Sequence, residues 1–289
     1  MRPDVDRAGD PVHPGDHGGG LGAPVYRRRV TLDAARVHAA AAAWTHVPDD
    51  AVEVATPEYR LVSHPAWSGA GVQLVWLGPL RRTVRQVIDE VREIALGWGV
   101  AEMTWWARSG HPAEFERDVL LRGGAAVDRV RVLAADPLDA LRALLAAGVP
   151  DDVEVRTVDS RAELRAATDV GAEAFGTEPL DEDELTDALR ADAEMPEASW
   201  FLARRRGVAV GSAGATRDGA VVRLWGAAVR PDARGAGVHR ALLAHRLAEA
   251  TSVGLDLALI RTRSDDVRAA DRAGFVEHGV ETAYRLPLR

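Results

Sequence analysis

The chain has 289 residues, room for two domains of ordinary size, and its 47% hydrophobic and 28% charged content is globular. A formal net charge of -8 disfavours nucleic acid as the main partner. Cysteine is absent, which excludes disulfides, thiolate metal sites and a cysteine nucleophile.

Residues 1–24 are rich in Gly, Pro and Asp, lack the apolar core of a signal peptide, and read as a flexible tail. His13 and His17 in that tail read as solvent-exposed, and no metal is expected. No stretch reaches the ~18 apolar residues of a membrane helix, so a cytoplasmic protein without a membrane partner is expected. A helix is expected to begin near Asp33. "GVQLVWLGPL" reads as a strand, and residues 83–96 as an amphipathic helix with Val84, Val87, Ile88, Val91, Ile94 and Ala95 on one face. "AEMTWWA" and "AAVDRVRVLAA" are strands on either side of a short helix that stops at Gly123-Gly124. Trp76, Trp98, Trp105 and Trp106 crowd this half, more rings than a small sheet layer usually hides; either some lie at an interface or all sit in the first half's own core. A helix bracketed by Asp136 and Gly148 leads to a boundary near residue 150.

The second half starts with the strand "VEVRTV". A helix follows from Ser160, where Glu163 predicts a capping box. An acidic helix is expected over 181–193. "WFLARR" and "VAVGSAGATR" form a hairpin around Gly207, and "AVVRLWGAAVR" a third antiparallel strand. After a glycine turn comes a helix over 235–250, then the buried strand "LDLALIRT", a short helix over 265–273 and a closing edge strand over 280–286. The order predicts an α+β fold on a mixed, mostly antiparallel sheet with flanking helices. Strand, helix, strand, short helix, glycine, strand describes both halves.

The chemistry points to the turn Arg234-Gly235-Ala236-Gly237. A helix start leaves amide hydrogens unpaired and carries about half a positive charge, which suits an anion. Gly235 and Gly237 let the backbone approach a phosphate without side chains between, and Arg234 and Arg240 add charged donors. An ordinary strand-to-helix connection is the other reading. The matching turn of the first half, "LGPLRRT", has Pro79 and no paired glycines.

This segment resembles the acetyl-CoA-binding motif of the Gcn5-related N-acetyltransferase (GNAT) superfamily. There a strand ending Val-x-Pro leads into Arg or Gln, two residues, Gly, one residue, and Gly or Ala. Here Val229-Arg230-Pro231 fits the strand end, while Arg234 stands directly before the first glycine and His239 replaces a small residue. The similarity extends over most of residues 152–287, including the "RAGF" segment Arg272 to Phe275. It implies two GNAT-like α/β/α domains: a degenerate copy over 25–150 and an acetyl-CoA-binding domain over 151–289. It implies a cleft where two parallel strands splay, with Ala228, Val229, Arg234, Gly235, Ala236, Gly237, Val238, His239 and Arg240 holding the coenzyme. Backbone amides near Ala227 to Val229 would meet the thioester.

The resemblance implies an acid four residues before Gly274, but that position is Ala270, and Ser264-Asp265 replaces a common Asn. Tyr284 and Glu178 are the candidate catalytic groups, Glu178 lying in a stretch from Glu173 to Glu197 with ten acidic residues and one basic. That stretch is either a solvated helix face or a wall that attracts a cationic amine. The expected activity is acetyl transfer to the amine of a small molecule or peptide; homodimerisation is left open. A coenzyme A-binding regulatory or scaffold protein is the alternative, and a transferase using the turn for another phosphate is a third reading.

Overall fold

The computed structural model describes residues 32–45, 47–108, 111–263 and 268–289, which lie in one compact unit. The tail with His13 and His17, and Ser264-Asp265, lie outside the described residues. The first half comprises α1 (Ala34–Ala42), β1 (Val52–Ala55), β2 (Tyr59–Ser63), β3 (Val72–Leu77), α2 (Val84–Gly97), β4 (Glu102–Ala107), α3 (Ala113–Leu121) and β5 (Ala125–Ala135). Helix α4 (Pro137–Ala146) connects it to β6 (Val153–Thr157), α5 (Arg161–Phe175), α6 (Glu182–Ala193), β7 (Ala198–Arg205), β8 (Val208–Asp218) and β9 (Val221–Val229). Then follow α7 (Val238–Ser252), β10 (Leu257–Thr262), α8 (Arg268–Arg272) and β11 (Val276–Pro287).

Local chemistry sets the helix starts. Thr83 and Gln86 close a capping box on α2, whose Val87, Ile88, Val91 and Ala95 are buried. Asp136 caps α4 ahead of Pro137. The box expected on α5 forms by half. The Ser160 hydroxyl accepts from Glu163 N–H, but the Glu163 carboxylate accepts from Asp159 N–H at 3.3 Å and pairs with Arg204 at 3.0 Å. A complete box forms instead at Asp181 and Glu184 on α6.

The eleven strands among the described residues join one sheet in the order β1-β2-β3-β4-β11-β5-β10-β9-β8-β7-β6. Among these described strands only β3 with β4 and β9 with β10 are parallel. The last strand is therefore not an edge strand, as its place in the sequence suggested. β11 sits mid-sheet between β4 and β5, with Glu281, Ala283, Tyr284 and Leu286 buried. The reason is an exchange. β5, the last strand of the first half, pairs with β10, while β11, the last strand of the second, pairs with β4. Each parallel pair is thus completed by the other half's final strand.

Helices α4 and α7 cover one face, over Phe201, Ala203, Val222, Leu224 and Ala258. On the same face α2 and α3 cover Leu74, Met103 and Trp105. Helix α1 covers the opposite face at Leu257 and Leu259. Of the four tryptophans, Trp105 is fully buried in the first half's own core, edge-on to Phe115 at 4.0 Å, and Trp98 packs at its margin. Trp76 and Trp106 are half-buried. No helix among the described residues is long and apolar enough to cross a membrane.

Candidate functional site

The site begins where β9 and β10 part. They pair only as far as Leu224 opposite Ile260, although β9 runs on to Val229 and β10 to Thr262. Toward β8, β9 carries one extra residue: Gly214 faces Trp225, and Ser212 faces Ala228. Gly226, at φ +63°, supplies the backbone conformation for this bulge. Amides beyond Trp225 are thereby released from the β10 ladder.

After a short 3-10 turn over Pro231–Ala233, the chain passes through Arg234 to Gly237 into α7. Among the described residues no side chain caps this helix, and its first bond runs from Ala241 N–H to Gly237 O at 3.0 Å. The amides of Gly235, Gly237, Val238 and Arg240 take no backbone acceptor among the described residues. Arg234 Nη2 donates to Ala174 O at 3.1 Å and Arg240 Nη1 to Ala147 O at 3.3 Å, so both arginines tie neighbouring elements to the turn.

A cavity of about 380 Å³ lies over the turn, walled by Val229, Gly235 and Arg240, and by Leu144 and Ala147 at the end of α4. A second, of about 510 Å³, lies along Leu133, Ile260, Thr262 and Ala270. His239, Ala269 and Arg272 line both, so the two cavities adjoin between the turn and the end of β10.

The acetyltransferase (GNAT) family model matches residues 164–275. A mycothiol acetyltransferase of Thermobispora bispora is 27% identical over 242 residues, 79% of this chain and 76% of that protein. A GCN5-related N-acetyltransferase from Kribbella flavida shares the fold at TM-score 0.61 and 19% identity, over 82% of this chain and 90% of that one. A tandem GNAT protein from the clavulanic acid biosynthesis pathway does so at TM-score 0.61 and 16% identity, over 80% and 78%. The chain is homologous to the GNAT acetyltransferases. Its enzyme class is acyltransferase.

Within this GNAT frame the expected coenzyme residues separate into two groups. Val229, Arg234, Gly235, Gly237, Val238, His239 and Arg240 line the cavity over the turn. Ala228 is buried and Ala236 packs on the core, and neither is among the residues lining the cavity. His239 lines both cavities. Gly237 does not clear a path for the ligand. A Cβ there would lie 2.5 Å from Pro150 Cγ, whereas one on Gly235 would meet nothing within 4 Å. Gly237 accommodates the connector, and Gly235 faces open space.

The two candidate catalytic side chains are not brought to the groove. Glu178 is exposed between α5 and α6. Tyr284 packs in the first half's core and donates its hydroxyl to Glu116; burial, then that carboxylate, pushes its pKa up to about 12. Ala270 does line the second cavity, so the place implied for an acid is present with a methyl group in it. In the acidic stretch Glu182 pairs with Arg161 and Arg165, both at 2.7 Å, and Glu173 with Arg230 at 3.1 Å. Most of its other carboxylates are exposed, which is the solvated-face reading. Trp225, beside the bulge, donates its indole N–H to Thr216 at 2.9 Å and meets Trp200 edge-on. The wall supplied by Leu144 and Ala147 was missed in the sequence; its signal is an apolar face on a helix that otherwise reads as a linker.

The turn after β3 has the same position in the first half, and its amides are occupied. Glu58 Oε1 accepts from Arg81 N–H at 2.6 Å and Arg82 N–H at 3.2 Å, while Oε2 accepts from Arg82 Nε at 2.9 Å. These bonds, the Arg81 amide first, hold the Glu58 carboxyl below the usual range despite its desolvation.

Proposed function

We propose that the chain binds one acetyl-CoA in the groove of its second half and transfers the acetyl group to the amine of a small acceptor of the mycothiol type. The observation that carries this reading is the pair of adjoining cavities that lie between the uncapped glycine turn and the parted strands β9 and β10. Its dimensions and donors suit the coenzyme. The amides at Gly235, Gly237 and Val238, with Arg234 and Arg240, would hold the pyrophosphate. The second cavity, past His239, with Leu133, Ile260 and Ala270 on its wall, would take the pantetheine arm. Amides of β9 beyond the bulge would hydrogen-bond the thioester carbonyl, where negative charge develops as the amine attacks. When bound, the coenzyme supplies an activated acetyl thioester, so the protein's task is mainly to orient the amine against it.

The acceptor class comes from the mycothiol acetyltransferases among the relatives. We read residues 25–150 as a copy that has lost its coenzyme turn and 151–289 as the copy that keeps it. The shared element order, Pro79 and the filled amides at Glu58 support that division. The test is thiol release from acetyl-CoA with a panel of amines that includes the unacetylated form of mycothiol, alongside calorimetry with coenzyme A and with ATP. Amine-dependent thiol release and one coenzyme A per chain are expected. Tight ATP binding in place of coenzyme A would refute the reading; binding without turnover of any amine would refute the transfer.

A further inference from the structure

Arg246 lies in the middle of α7 and is 3% exposed. Among the described residues no carboxylate pairs with it, and burial alone pushes its pKa down to about 10. Its neighbours on the same helix face, Leu242, Leu243 and Leu247, are apolar and fully buried, so methionine or leucine would fill the position at no electrostatic cost. A buried cation without a counter-ion needs a compensating role.

Its bonds show where that role lies. Nε donates to Leu242 O within the helix at 3.2 Å. Nη1 donates to Gly214 O at 3.0 Å and to Trp225 O at 3.4 Å. Gly214 and Trp225 are the residue pair that borders the β8–β9 register shift. A bulge leaves ladder carbonyls short of partners, and here one guanidinium serves a carbonyl on each strand. The space is tight: a Cβ on Gly214 would fall within 2.3 Å of the Trp225 ring.

We propose that Arg246 is a positioning residue that clasps the β9 bulge and so fixes the amides of residues 226–229 at the parted strands. Nη1 serves both strand carbonyls while Nε is bonded to Leu242 O, so the planar guanidinium joins helix and bulge at once; the single ammonium of lysine, on a shorter reach, has no second nitrogen for the helix. This inference rests on the acetyl-transfer reading above.

The test compares Arg246→Met, Arg246→Lys and Gly226→Ala with the native chain. Gly226→Ala is the mild variant: its Cβ would come no closer than 3.9 Å to Gly214 N, so it strains the bulge through its positive φ while leaving Arg246 in place. For all three, kcat should fall about fivefold or more while KM for acetyl-CoA and Kd for coenzyme A stay within about threefold, the pattern of an interaction felt at the transition state. Lysine should not rescue. Amide hydrogen exchange at 225–229 in coenzyme-free protein should rise in the Arg246 variants, while exchange at 234–240 stays native. A smaller fall in kcat, parallel loss of coenzyme binding, or unchanged exchange at 225–229 overturns the proposal. Should neither Arg246 variant fold, kcat of Gly226→Ala decides by the same threshold. A native chain with no turnover defeats the acetyl-transfer reading instead, and the exchange measurement still judges the clasp.

Discussion

Gly235 and Gly237 share φ +79°, yet their surroundings predict different phenotypes. Alanine at either position incurs the left-handed cost of about 1–2 kcal/mol. At Gly235 that is the whole effect on folding, because no atom lies within 4 Å of the added Cβ. At Gly237 the Cβ would sit 2.5 Å from Pro150 Cγ and 3.2 Å from its Cδ, contacts that force the connector to move. Overpacking of this kind adds about 1–3 kcal/mol. Urea unfolding should therefore show Gly235→Ala losing about 1–2 kcal/mol and Gly237→Ala about 2–5 kcal/mol. Valine at Gly235 extends methyl groups into the cavity over the turn and should weaken coenzyme A more than about tenfold while the protein stays folded. Valine at Gly237 should lose stability first. Native coenzyme affinity in Gly235→Val, by calorimetry, would refute the cradle. Equal destabilisation by the two alanines would refute the argument from Pro150.

Glu281, 2% exposed, accepts a hydrogen bond from Arg261 and lies 3.8 Å from Arg108 Nε; those arginines in turn donate to Trp44 O and Ala42 O behind α1. Glu281→Ala strands two buried guanidinium groups and should cost about 3–5 kcal/mol in urea unfolding, and a loss below about 1 kcal/mol would contradict this. Burial, then the charge of Arg108, pushes the pKa of His111 down to about 4, and its Nδ1 accepts from Arg108 N–H at 3.3 Å. The unfolded chain takes up a proton that the folded one refuses, so stability should fall by about 2 kcal/mol between pH 7 and pH 5, a loss absent in His111→Phe. Residues 151–289 alone lack β5, which lies between β10 and β11. That fragment should show no cooperative unfolding by circular dichroism; a folded monomer with native coenzyme affinity would refute the dependence.

The local periodicities were readable. The pattern Val84, Val87, Ile88, Val91 gave α2 its buried face, and the glycine turn its place between strand and helix. What could not be read depends on partners distant in the chain. Nothing within residues 276–287 states that their neighbours are β4 and β5, because either edge or centre satisfies the same run of apolar side chains. Tyr284 fell to the same cause: its strand carries it into the first half's core, away from the groove. Arg246 was legible and overlooked. It stands four residues after Leu242 and three after Leu243, on the apolar stripe of α7, where a charged residue should raise a question. Gly237 illustrates a subtler limit, since the sequence announces a glycine but not which neighbour its missing Cβ would strike.

The asymmetry between the halves follows from one carboxylate and one helix. Both halves part a parallel strand pair and turn into a helix, so both have the backbone for an anion cradle. In the first half Glu58 is already on the amides of Arg81 and Arg82, with Arg82 also paired to Glu90. A tethered carboxylate meets those donors without losing the translational freedom that a soluble phosphate must give up, so it outcompetes one. In the second half no side chain among the described residues caps α7, and the amides of Gly235, Gly237 and Val238 take no backbone acceptor among them. Helix α4 then adds the wall at Leu144 and Ala147, and Arg240 fastens that wall to the turn through Ala147 O. Helix α4 leads from β5 to β6, so the connector between the two sets of strands is itself a wall of the groove. Separation of the halves near residue 150 would therefore remove a wall of the site together with the strand that completes its sheet.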